Sequence, residues 1–371
     1  MRRLVLLGGG HAQLAVLASL AERSMAACEV RLVTPYRRQI YSGMLPGWIA
    51  GHYPIAACAI ALDALAARGG VAFHHAAAVA IDPLKQSLRC DDGTELHFDL
   101  LSIDTGPVAA IADLPGSVQN ALPIRPIEGF VAAWPKLVER MRGAGRRFDL
   151  VILGAGAAGV ELAFAIRHRV MTEGWSHVRL TVLGSDPLPL VGSPEKLRRQ
   201  VAGLLARRGI GWVGGRKAER IEPNRIHLAH SEAIDFDECL VATGAAAPAW
   251  PRAAGMATDD RGFVRVSRTL QSLSHPQIFA AGDIAAYAQA RPKSGVFAVR
   301  AGPTLAHNLR ARCEGRALDE WHPQPHALYL ISTGDRHAFA SWGHWAWHGR
   351  WVWNWKDRID RRFMRRYGAT A

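Results

Sequence analysis

The chain contains the same local pattern twice: an apolar run, a glycine turn, a helical segment and a second apolar run. The first copy consists of Arg3–Leu7, Gly8–Gly10, a helical pattern over His11–Arg23, and Cys28–Thr34; the second copy occupies residues 148–183. Short apolar runs that alternate with helices are typical of parallel strands joined by right-handed crossovers. The repeat therefore predicts an α/β protein with two units of the kind that bind a nucleotide at the first strand–helix turn.

The second glycine turn has the stronger pattern. It reads Gly154-Ala-Gly156-Ala-Ala-Gly159 and lies between a predicted strand over Phe148–Leu153 and a predicted helix over Val160–Val170. In this motif the first glycine makes a tight turn, the second lets the backbone approach a pyrophosphate, and the third lets the helix pack closely on the strand. The N–H groups and the dipole at the helix N-terminus favour the phosphate charge. The motif predicts a dinucleotide site at this turn.

The first glycine turn and the ends of the following strands depart from the usual pattern. Gln13 stands where the first motif would have its third glycine, so this motif is weak when taken alone. Neither second strand ends in the acidic residue that commonly binds the adenosine ribose, since Thr34 ends one strand and Gly184 follows the other. The choice between NADH and NADPH therefore stays open.

The spacing of cysteines and histidines gives no sign of a metal centre or of a redox-active cysteine pair. The five cysteines are scattered, which argues against a zinc ribbon, a CxxC motif and a disulfide framework and suits a reducing compartment. They are Cys28, Cys58, Cys90, Cys239 and Cys313. Three histidine pairs lack a consistent cysteine or carboxylate partner, so we expect no metal site. These pairs are His74/His75, His227/His230 and His322/His326.

The order of five short motifs resembles the two-dinucleotide-domain flavoproteins of the pyridine nucleotide–disulfide oxidoreductase superfamily. The motifs are Gly8–Gly10, Asp104-Thr105-Gly106, Gly154–Glu161, Ala242-Thr243-Gly244 and Ala281-Gly282-Asp283. The resemblance implies an α/β fold with two Rossmann-like domains, the second inserted into the first. Residues 1–110 and 245–316 would then bind FAD, residues 111–244 would bind NAD(P)H, and residues 317–371 would form a small C-terminal segment.

A closer resemblance is carried by Tyr41–Gly47, Pro292–Gly302 and the tail Arg350–Tyr367. These segments resemble the flavin oxidoreductase module that occurs alone or ahead of selenide, water dikinase, and that is itself similar to type II NADH dehydrogenases. The dikinase portion is absent from this sequence. Because no redox-active cysteine pair flanks the flavin motifs, we expect neither disulfide reduction nor a persulfide relay.

The resemblance assigns the cofactor sites residue by residue. It assigns FAD to Gly8, Gly10, His11, Ala12, Thr105, Gly106, Gly282, Asp283 and Lys293, and NAD(P)H to Gly154, Gly156, Gly159 and Glu161. Lys293 is expected to stabilise negative charge on the flavin, and Glu161 to reach the nicotinamide–flavin junction, which makes both candidate catalytic residues. The alternatives are a solvated loop lysine, an acid that complements the helix dipole and, for Asp283, a plain helix cap.

The end of the chain predicts a hairpin followed by a basic amphipathic helix. Leu328–Ser332 and His337–Trp342 have the pattern of a hairpin, and Arg350–Trp353 could add a strand. Asn354 is expected to cap the helix. Its predicted apolar stripe consists of Trp355, Ile359, Phe363 and Tyr367.

The net charge of +13 is unevenly distributed, because this tail carries seven basic and two acidic residues from Arg350 onward and so accounts for +5 of it. A basic helix rich in tryptophan binds an anionic membrane surface or packs on a second subunit, and the pattern leaves both open. No recognised nucleic-acid-binding module frames these residues, so we expect no nucleic-acid partner.

These features predict a FAD-dependent NAD(P)H dehydrogenase that passes electrons to a quinone-like acceptor. We expect it in the cytoplasm, with peripheral membrane contact through residues 350–371. The alternatives are a soluble reductase for a protein or another small acceptor, and a non-catalytic flavoprotein that senses nucleotides. The physiological acceptor and the formation of a homodimer stay open.

Overall fold

The computed structural model describes residues 1–111 and 114–368. Residues 112 and 113, within the predicted NAD(P)H-binding range, and residues 369–371, at the end of the predicted membrane-contact segment, lie outside the described residues. None of the described helices combines the length and the apolar character that crossing a bilayer requires.

The first part of the chain forms a parallel sheet with two small antiparallel sheets beside it. Its strands are β1 (Arg2–Leu7), β2 (Cys28–Thr34), β3 (Arg38–Ile40), β4 (Ala59–Ala61), β5 (Ala72–His75), β6 (Ala78–Asp82), β7 (Ser87–Cys90), β8 (Glu95–His97), β9 (Leu100–Ile103) and β10 (Val108–Ala109). Its helices are α1 (His11–Glu22), α2 (Leu45–Ile49) and α3 (Leu62–Arg68).

The middle of the chain repeats the alternation of strands and helices. Its strands are β11 (Leu122–Pro123), β12 (Phe148–Leu153), β13 (Val178–Leu183), β14 (Ile210–Val213), β15 (Ala218–Glu222), β16 (Arg225–Leu228), β17 (Ala233–Asp235), β18 (Glu238–Val241) and β19 (Ala245–Ala246). Its helices are α4 (Ser117–Asn120), α5 (Ile127–Gly143), α6 (Ala157–Thr172), α7 (Glu195–Arg207) and α8 (Trp250–Ala253).

The last part of the chain contains two long helices and two further groups of strands. The strands are β20 (Val264–Val266), β21 (Ile278–Ala280), β22 (Ala285–Tyr287), β23 (Tyr329–Ser332), β24 (Ala338–Trp342) and β25 (Trp345–Gly349). The helices are α9 (Gly295–Glu314) and α10 (Arg350–Tyr367).

The first parallel sheet has the strand order β21-β9-β1-β2-β5. Strand β1 pairs with β2 from Arg2 opposite Cys28 to Leu7 opposite Val33, so the first glycine turn begins at the carboxyl edge of a central strand. Strand β21 joins this sheet from almost 180 residues beyond β9. The sheet is thus assembled from both ends of the chain.

The second parallel sheet has the order β11-β18-β12-β13-β14 and lies wholly between the parts of the first. Its central strand β12 ends at Leu153, directly before the second glycine turn. The apolar faces of α5, α6 and α7 cover this sheet and form a buried cluster with it, which also includes Ile49 at the end of α2 and Ile331 and Phe339 of the C-terminal sheet. Two doubly wound units, the second inserted into the first, confirm the α/β class that the repeated pattern predicts.

The C-terminal segment is a three-stranded antiparallel sheet, β23-β24-β25, that runs straight into α10. The predicted hairpin is present, but the third strand is Trp345–Gly349. The predictions of a strand over Arg350–Trp353 and of a cap at Asn354 are wrong, because the helix already begins at Arg350 after the N-cap Gly349. The first turn of α10 therefore occupies the residues that alternation alone would place in a strand.

Only the second half of the predicted apolar stripe of α10 faces inward, where Tyr367 is buried and Phe363 packs against the same core. Trp355 and Ile359 are 38% and 39% exposed, whereas Val352, Lys356 and Asp360 are buried. The Lys356 ammonium donates to Asp360 Oδ2 at 2.7 Å, so the charged pair neutralises itself inside the protein. Hydrophobic periodicity cannot reveal a helix that turns an ion pair inward.

A disulfide joins Cys28, at the start of β2, to Cys313, near the end of α9. The scattered spacing, which argues against a disulfide framework, gave no sign of this single bond. The two residues are 285 positions apart, and only the packing of α9 against the first sheet brings them together. Sequence spacing carries no information on such a contact.

Candidate active site

Three backbone turns of the first unit meet at the carboxylate of Asp104, which follows β9. Asp104 Oδ2 accepts hydrogen bonds from the backbone N–H groups of Ala12 and Gln13 at 2.8 and 3.0 Å. A Cβ atom added at Gly10 or at Gly282 would overlap this same carboxylate. The two glycine turns that the resemblance assigns to FAD are therefore held together by one buried acidic residue.

Burial raises the pKa of Asp104 to about 7, although the hydrogen bonds from Gln13 and Ala12 oppose this effect. Near neutral pH the carboxyl group is thus divided between its charged and uncharged forms. The uncharged form repels a neighbouring phosphate less than the charged form does. The first turn of α1 is consequently compatible with a pyrophosphate beside it.

Gln13 explains how the first motif works without its third glycine. Its side-chain Nε2 donates to the backbone oxygens of Leu7 and Ser102 at 3.2 and 2.8 Å. These bonds tie α1 to the two neighbouring strands β1 and β9. In the second unit the same close approach depends on Gly159, which packs against Ala242 at the position that corresponds to Asp104.

The second glycine turn has the geometry of an open phosphate site. Gly154 has φ +118°, a conformation that side chains disfavour, and a Cβ atom on Gly159 would overlap the Gly154 carbonyl oxygen. By contrast, a Cβ atom on Gly156 would meet nothing within 4 Å. Because Gly156 is exposed and caps α6 with no side-chain hydrogen bond, the N-terminus of α6 faces free space. These residues fit the pyrophosphate of a dinucleotide.

The first unit also contains a buried polar atom that fits a bound ligand. Nε2 of His11 is buried and has no hydrogen-bond partner among the described residues. Its ring lies 5.7 Å from that of Tyr41 and 5.9 Å from that of Phe363. Burial lowers the pKa of His11 to about 4, so the ring is neutral at physiological pH. A neutral imidazole at the first turn of α1 can donate to or accept from a cofactor.

Asp283 and Lys293 lie near each other in the same unit. Asp283 is 3.5 Å from Arg125, and burial raises its pKa even though Arg125 and Lys293 oppose the shift. The Lys293 ammonium donates to Ala285 O at 2.6 Å and lies 3.7 Å from the centre of the Phe263 ring. Lys293 is thus partly buried and held in place.

Burial lowers the pKa of Lys293 to about 8, while the nearby Asp283 counteracts this. The ammonium therefore carries its charge at neutral pH in a partly desolvated site. A positive charge of this kind stabilises a neighbouring anion more strongly than a solvated lysine would. Thr105 and Gly106, which complete the assigned set, lie in the loop after β9, where Thr105 is exposed.

Glu161 lies where the second unit meets the C-terminal segment. It stands in the first turns of α6, and its Oε1 accepts from the Ser332 N–H at 2.8 Å. Burial raises the pKa of Glu161 to about 7, against the opposing attraction of Lys356 and the bond from Ser332. Lys356 of α10 is thus among the charged groups close enough to affect the Glu161 carboxyl.

Lys356 connects this acid to the first unit. Its ammonium donates to Gly43 O and to Asp360, and Asp360 Oδ1 in turn accepts from the Tyr41 hydroxyl at 3.1 Å. Burial alone would lower the pKa of Lys356, but the attraction of Asp360 and Glu161 raises it. Tyr41 also stacks on Phe363, with ring centres 4.3 Å apart. The predicted helix stripe missed this network because its key members are charged.

Two arginines lie near the end of β13, where no ribose-binding acid is found. The Arg216 N–H donates to Gly184 O at 3.2 Å, and Arg198 lies 3.7 Å from Asp186. The guanidinium of Arg216 binds Glu232 at 2.7 Å. The fold thus brings two cations to the end of this strand, but each already has an acidic partner.

The structure groups the candidate residues into three places. The glycine turns of the first unit meet at Asp104, the second glycine turn opens at α6, and Glu161 joins Lys356 beside the C-terminal sheet. Asp104, Gln13, Lys356 and Asp360 were not among the candidates. One sequence signal could have identified Asp104. The two units share a Thr-Gly pair, and the residue before it is the acid Asp104 in the first unit but Ala242 in the second.

Known proteins match both the sequence and the fold. Residues 2–308 match the family model described as pyridine nucleotide-disulphide oxidoreductase. The demethylphylloquinone reductase NdbB of Synechocystis sp. is 28% identical over 338 residues, which cover 87% of this chain and 82% of that protein.

Two solved structures share the fold along nearly the whole chain. The NDH2 of Plasmodium falciparum, solved in complex with NADH, has a TM-score of 0.82 at 11% identity and covers 99% of both chains. The sulfide:quinone oxidoreductase of Aquifex aeolicus has a TM-score of 0.81 at 20% identity and covers 99% of this chain and 91% of its own.

Proposed function

Because the chain belongs to the pyridine nucleotide-disulphide oxidoreductase family, we propose that it is a FAD-dependent NAD(P)H oxidoreductase that passes electrons to a quinone. The similarity to a demethylphylloquinone reductase and to an NADH-binding NDH2 supports this activity. The observation that carries the proposal is Glu161, a protonatable acid placed between the second glycine turn and the C-terminal segment. Quinone reduction consumes protons, so the reaction needs a group of this kind.

We place FAD in residues 1–110 and 245–316, and NAD(P)H in residues 111–244. When bound, FAD supplies the chemistry that accepts a hydride and releases electrons. The turns around Asp104 would hold its phosphates, and Lys293 would provide positive charge beside its ring system. Gly154, Gly156 and Gly159 would hold the pyrophosphate of NAD(P)H at the N-terminus of α6.

Glu161 would hold and deliver a proton at its Oε2, because Oε1 is engaged by the Ser332 N–H. A pKa of about 7 lets this group both gain and lose a proton near neutral pH. Lys356 and Asp360 position α10 against Tyr41 and Gly43 and so close the site on one side. The proposed acceptor site lies beside this network.

Glu161→Gln should slow quinone reduction by about 100-fold, within the usual range for loss of a general acid. Since the acid acts in its protonated form, quinone-dependent turnover of the wild type should fall as the pH rises through about 7. The variant should lose this pH dependence. Stopped-flow absorbance measures the two half-reactions separately, and reduction of bound FAD by NADH should stay within a few-fold of wild type.

Glu173→Gln, at the other end of α6, is the matched control and should leave both half-reactions unchanged. Equal turnover of Glu161→Gln and wild type across the pH range would contradict a role for Glu161 in proton delivery. A variant that slows FAD reduction and quinone reduction equally would instead place Glu161 in NAD(P)H binding.

The overall activity is tested by anaerobic titration of the purified protein with NADH and with NADPH, followed by a screen of acceptors. We expect one of the nucleotides to bleach the flavin and a quinone to restore it. If only a protein or another small acceptor restores the flavin, the protein is a soluble reductase. If neither nucleotide bleaches it, the flavoprotein has a sensing role.

The outward face of the C-terminal segment supports contact with a membrane surface. Trp345 and Trp347 of β25 stack with ring centres 6.4 Å apart, and Trp351 and Trp355 of α10 do the same. All four are exposed, with Trp345 at 68%. Exposed arginines lie along the same helix: Arg358, Arg361, Arg362, Arg365 and Arg366. Paired tryptophans beside arginines suit the interface of an anionic bilayer.

Replacing Trp351 and Trp355 together by serine should weaken binding to anionic vesicles by at least about tenfold, since each ring loses its burial in the interface. Co-sedimentation with phosphatidylcholine vesicles, with and without phosphatidylglycerol, measures the effect. Leu84→Ser, which removes an exposed side chain far along the sequence, is the matched control. If the wild-type protein does not co-sediment with vesicles but dimerises through these tryptophans, the proposed membrane contact is wrong.

A further inference from the structure

Three residues with different ligand atoms lie together at the edge of the first sheet. They are His74 on β5, Cys90 at the end of β7, and Asp92 in the turn before β8. A ring nitrogen, a sulfur and a carboxylate oxygen from the three residues all lie within 4.8 Å of one another. His74 Nε2 and Asp92 Oδ2 are 3.0 Å apart.

The fold holds this cluster in place through the backbone of the turn. The Asp91 N–H donates to Ala77 O at 2.9 Å, and the Ala77 N–H donates to Asp91 Oδ1 at 2.9 Å. These bonds fix the small sheet β6-β7-β8 beside the segment that leaves β5. Cys90 and Asp92 flank the fixed residue, two positions apart along the chain.

Nε2 of His74 has no other role in the described part of the chain. The atom is buried, and it forms no hydrogen bond of normal geometry, even with the nearby Asp92. A buried ring nitrogen that lies 3.0 Å from a carboxylate without a well-aligned hydrogen bond is poorly satisfied, and a cation bound between the two groups would improve this. The expectation that His74 lacks cysteine and carboxylate neighbours is therefore wrong, because they come from residues 16 and 18 positions further on.

We propose that His74, Cys90 and Asp92 bind a divalent transition-metal ion, with zinc as the best match. Imidazole, thiolate and carboxylate are the three ligand types that zinc takes in proteins. The thiolate and the carboxylate together balance the charge of the ion. Binding releases the thiol proton of Cys90 to solvent, since the metal coordinates the thiolate. Asp92 is exposed, so water can fill the fourth position.

The metal would join two parts of the first unit. His74 pairs with Val33 in the sheet, next to Thr34 at the end of β2, where the usual ribose-binding acid is missing. A metal clip between β5 and the small sheet would stiffen this edge beside the expected adenosine end of the first nucleotide site. The site therefore has a structural role, separate from the proposed proton delivery at Glu161.

The test uses the purified flavoprotein and two metal ions. We expect the wild type to bind one Zn²⁺ per chain, measured by elemental analysis after dialysis. Co²⁺ in its place should give a thiolate-to-cobalt charge-transfer band. His74→Asn and Cys90→Ser should weaken Zn²⁺ binding by at least about 100-fold, because each removes a ligand atom. His75→Asn is the matched control, since this neighbouring ring contacts Pro35 O and should leave binding unchanged.

Asp92→Asn provides a variant that folds normally, because its side chain is exposed, and it should also weaken Zn²⁺ binding. A cobalt band that persists in Cys90→Ser would assign the thiolate to Cys58 or Cys239 and overturn the proposal. Wild-type protein that binds no more Zn²⁺ than His74→Asn would overturn it as well.

Discussion

Gly159→Ala should abolish NAD(P)H-dependent turnover in a protein that still contains its FAD. The added methyl group would overlap the carbonyl oxygen of Gly154, a backbone atom that cannot move without distorting the whole turn. Overpacking at such a position costs about 3 kcal/mol, and the distortion also displaces the N–H groups that face the pyrophosphate. The flavin should remain because the proposed FAD site lies on the other sheet.

Gly156→Ala tests nucleotide binding without disturbing the packing of the protein. A methyl group here would meet no protein atom within 4 Å, so the unfolding temperature should not change. The same methyl group would project toward the expected pyrophosphate. We expect the KM for NADH to rise at least about tenfold, which corresponds to about 1.4 kcal/mol of lost binding.

The measurements for both variants are flavin absorbance after purification, thermal unfolding and steady-state kinetics with NADH. The expected contrast is a destabilised, inactive Gly159→Ala and a stable Gly156→Ala with weak NADH binding. Wild-type KM in a stable Gly156→Ala would show that the nucleotide does not approach this turn, and loss of flavin from either variant would contradict the assignment of the two sites.

Lys356→Met should destabilise the protein by about 3–5 kcal/mol, the usual cost of removing one partner from a buried ion pair. Lys356 is 8% exposed and Asp360 is 5% exposed, so the remaining carboxylate would be buried without its cation. The Glu161 carboxyl would lose the same neighbouring charge. Denaturant unfolding followed by tryptophan fluorescence reports the loss, since six of the chain's 12 tryptophans lie between residues 342 and 355.

The double variant Lys356→Met, Asp360→Asn tests whether charge is the cause. It removes both charges but keeps an acceptor for the Tyr41 hydroxyl, so most of the lost stability should return. Lys136→Met, at an exposed lysine of α5, is the control and should change stability by less than about 0.5 kcal/mol. A double variant as unstable as Lys356→Met would mean that the methylene packing of Lys356, and not its charge, matters.

The features that local sequence determines were predictable. The bounds of β2 and β12 agree with the predicted apolar runs, because buried parallel strands are rich in apolar residues and end at a turn-forming proline or glycine. The Gly154–Gly159 motif was recognisable for the same reason, since Gly154 and Gly159 meet steric demands that arise within the motif or its immediate contacts.

The features that depend on distant residues were not predictable. Asp104 joins Gly10 to Gly282, and Cys28 joins Cys313; the sequence does not reveal which distant segments will meet. The buried ion pair on the inward face of α10 was missed because a hydrophobic pattern counts every charged residue as exposed. Lys356 and Asp360 are buried nonetheless, since each neutralises the charge of the other. The neighbours of His74 were missed because a hairpin, and not a short motif, supplies them.

The strand order of the first sheet also determines when the protein can fold during synthesis. The second sheet is complete once Val241 has left the ribosome, because all its strands lie between Leu122 and Val241. The first sheet must wait for β21, and the disulfide partner of Cys28 arrives later still. The inserted unit therefore matures before its host, and the edge of β9 stays unpaired until β21 has been synthesised, so ribosome-associated chaperones would need to shield it.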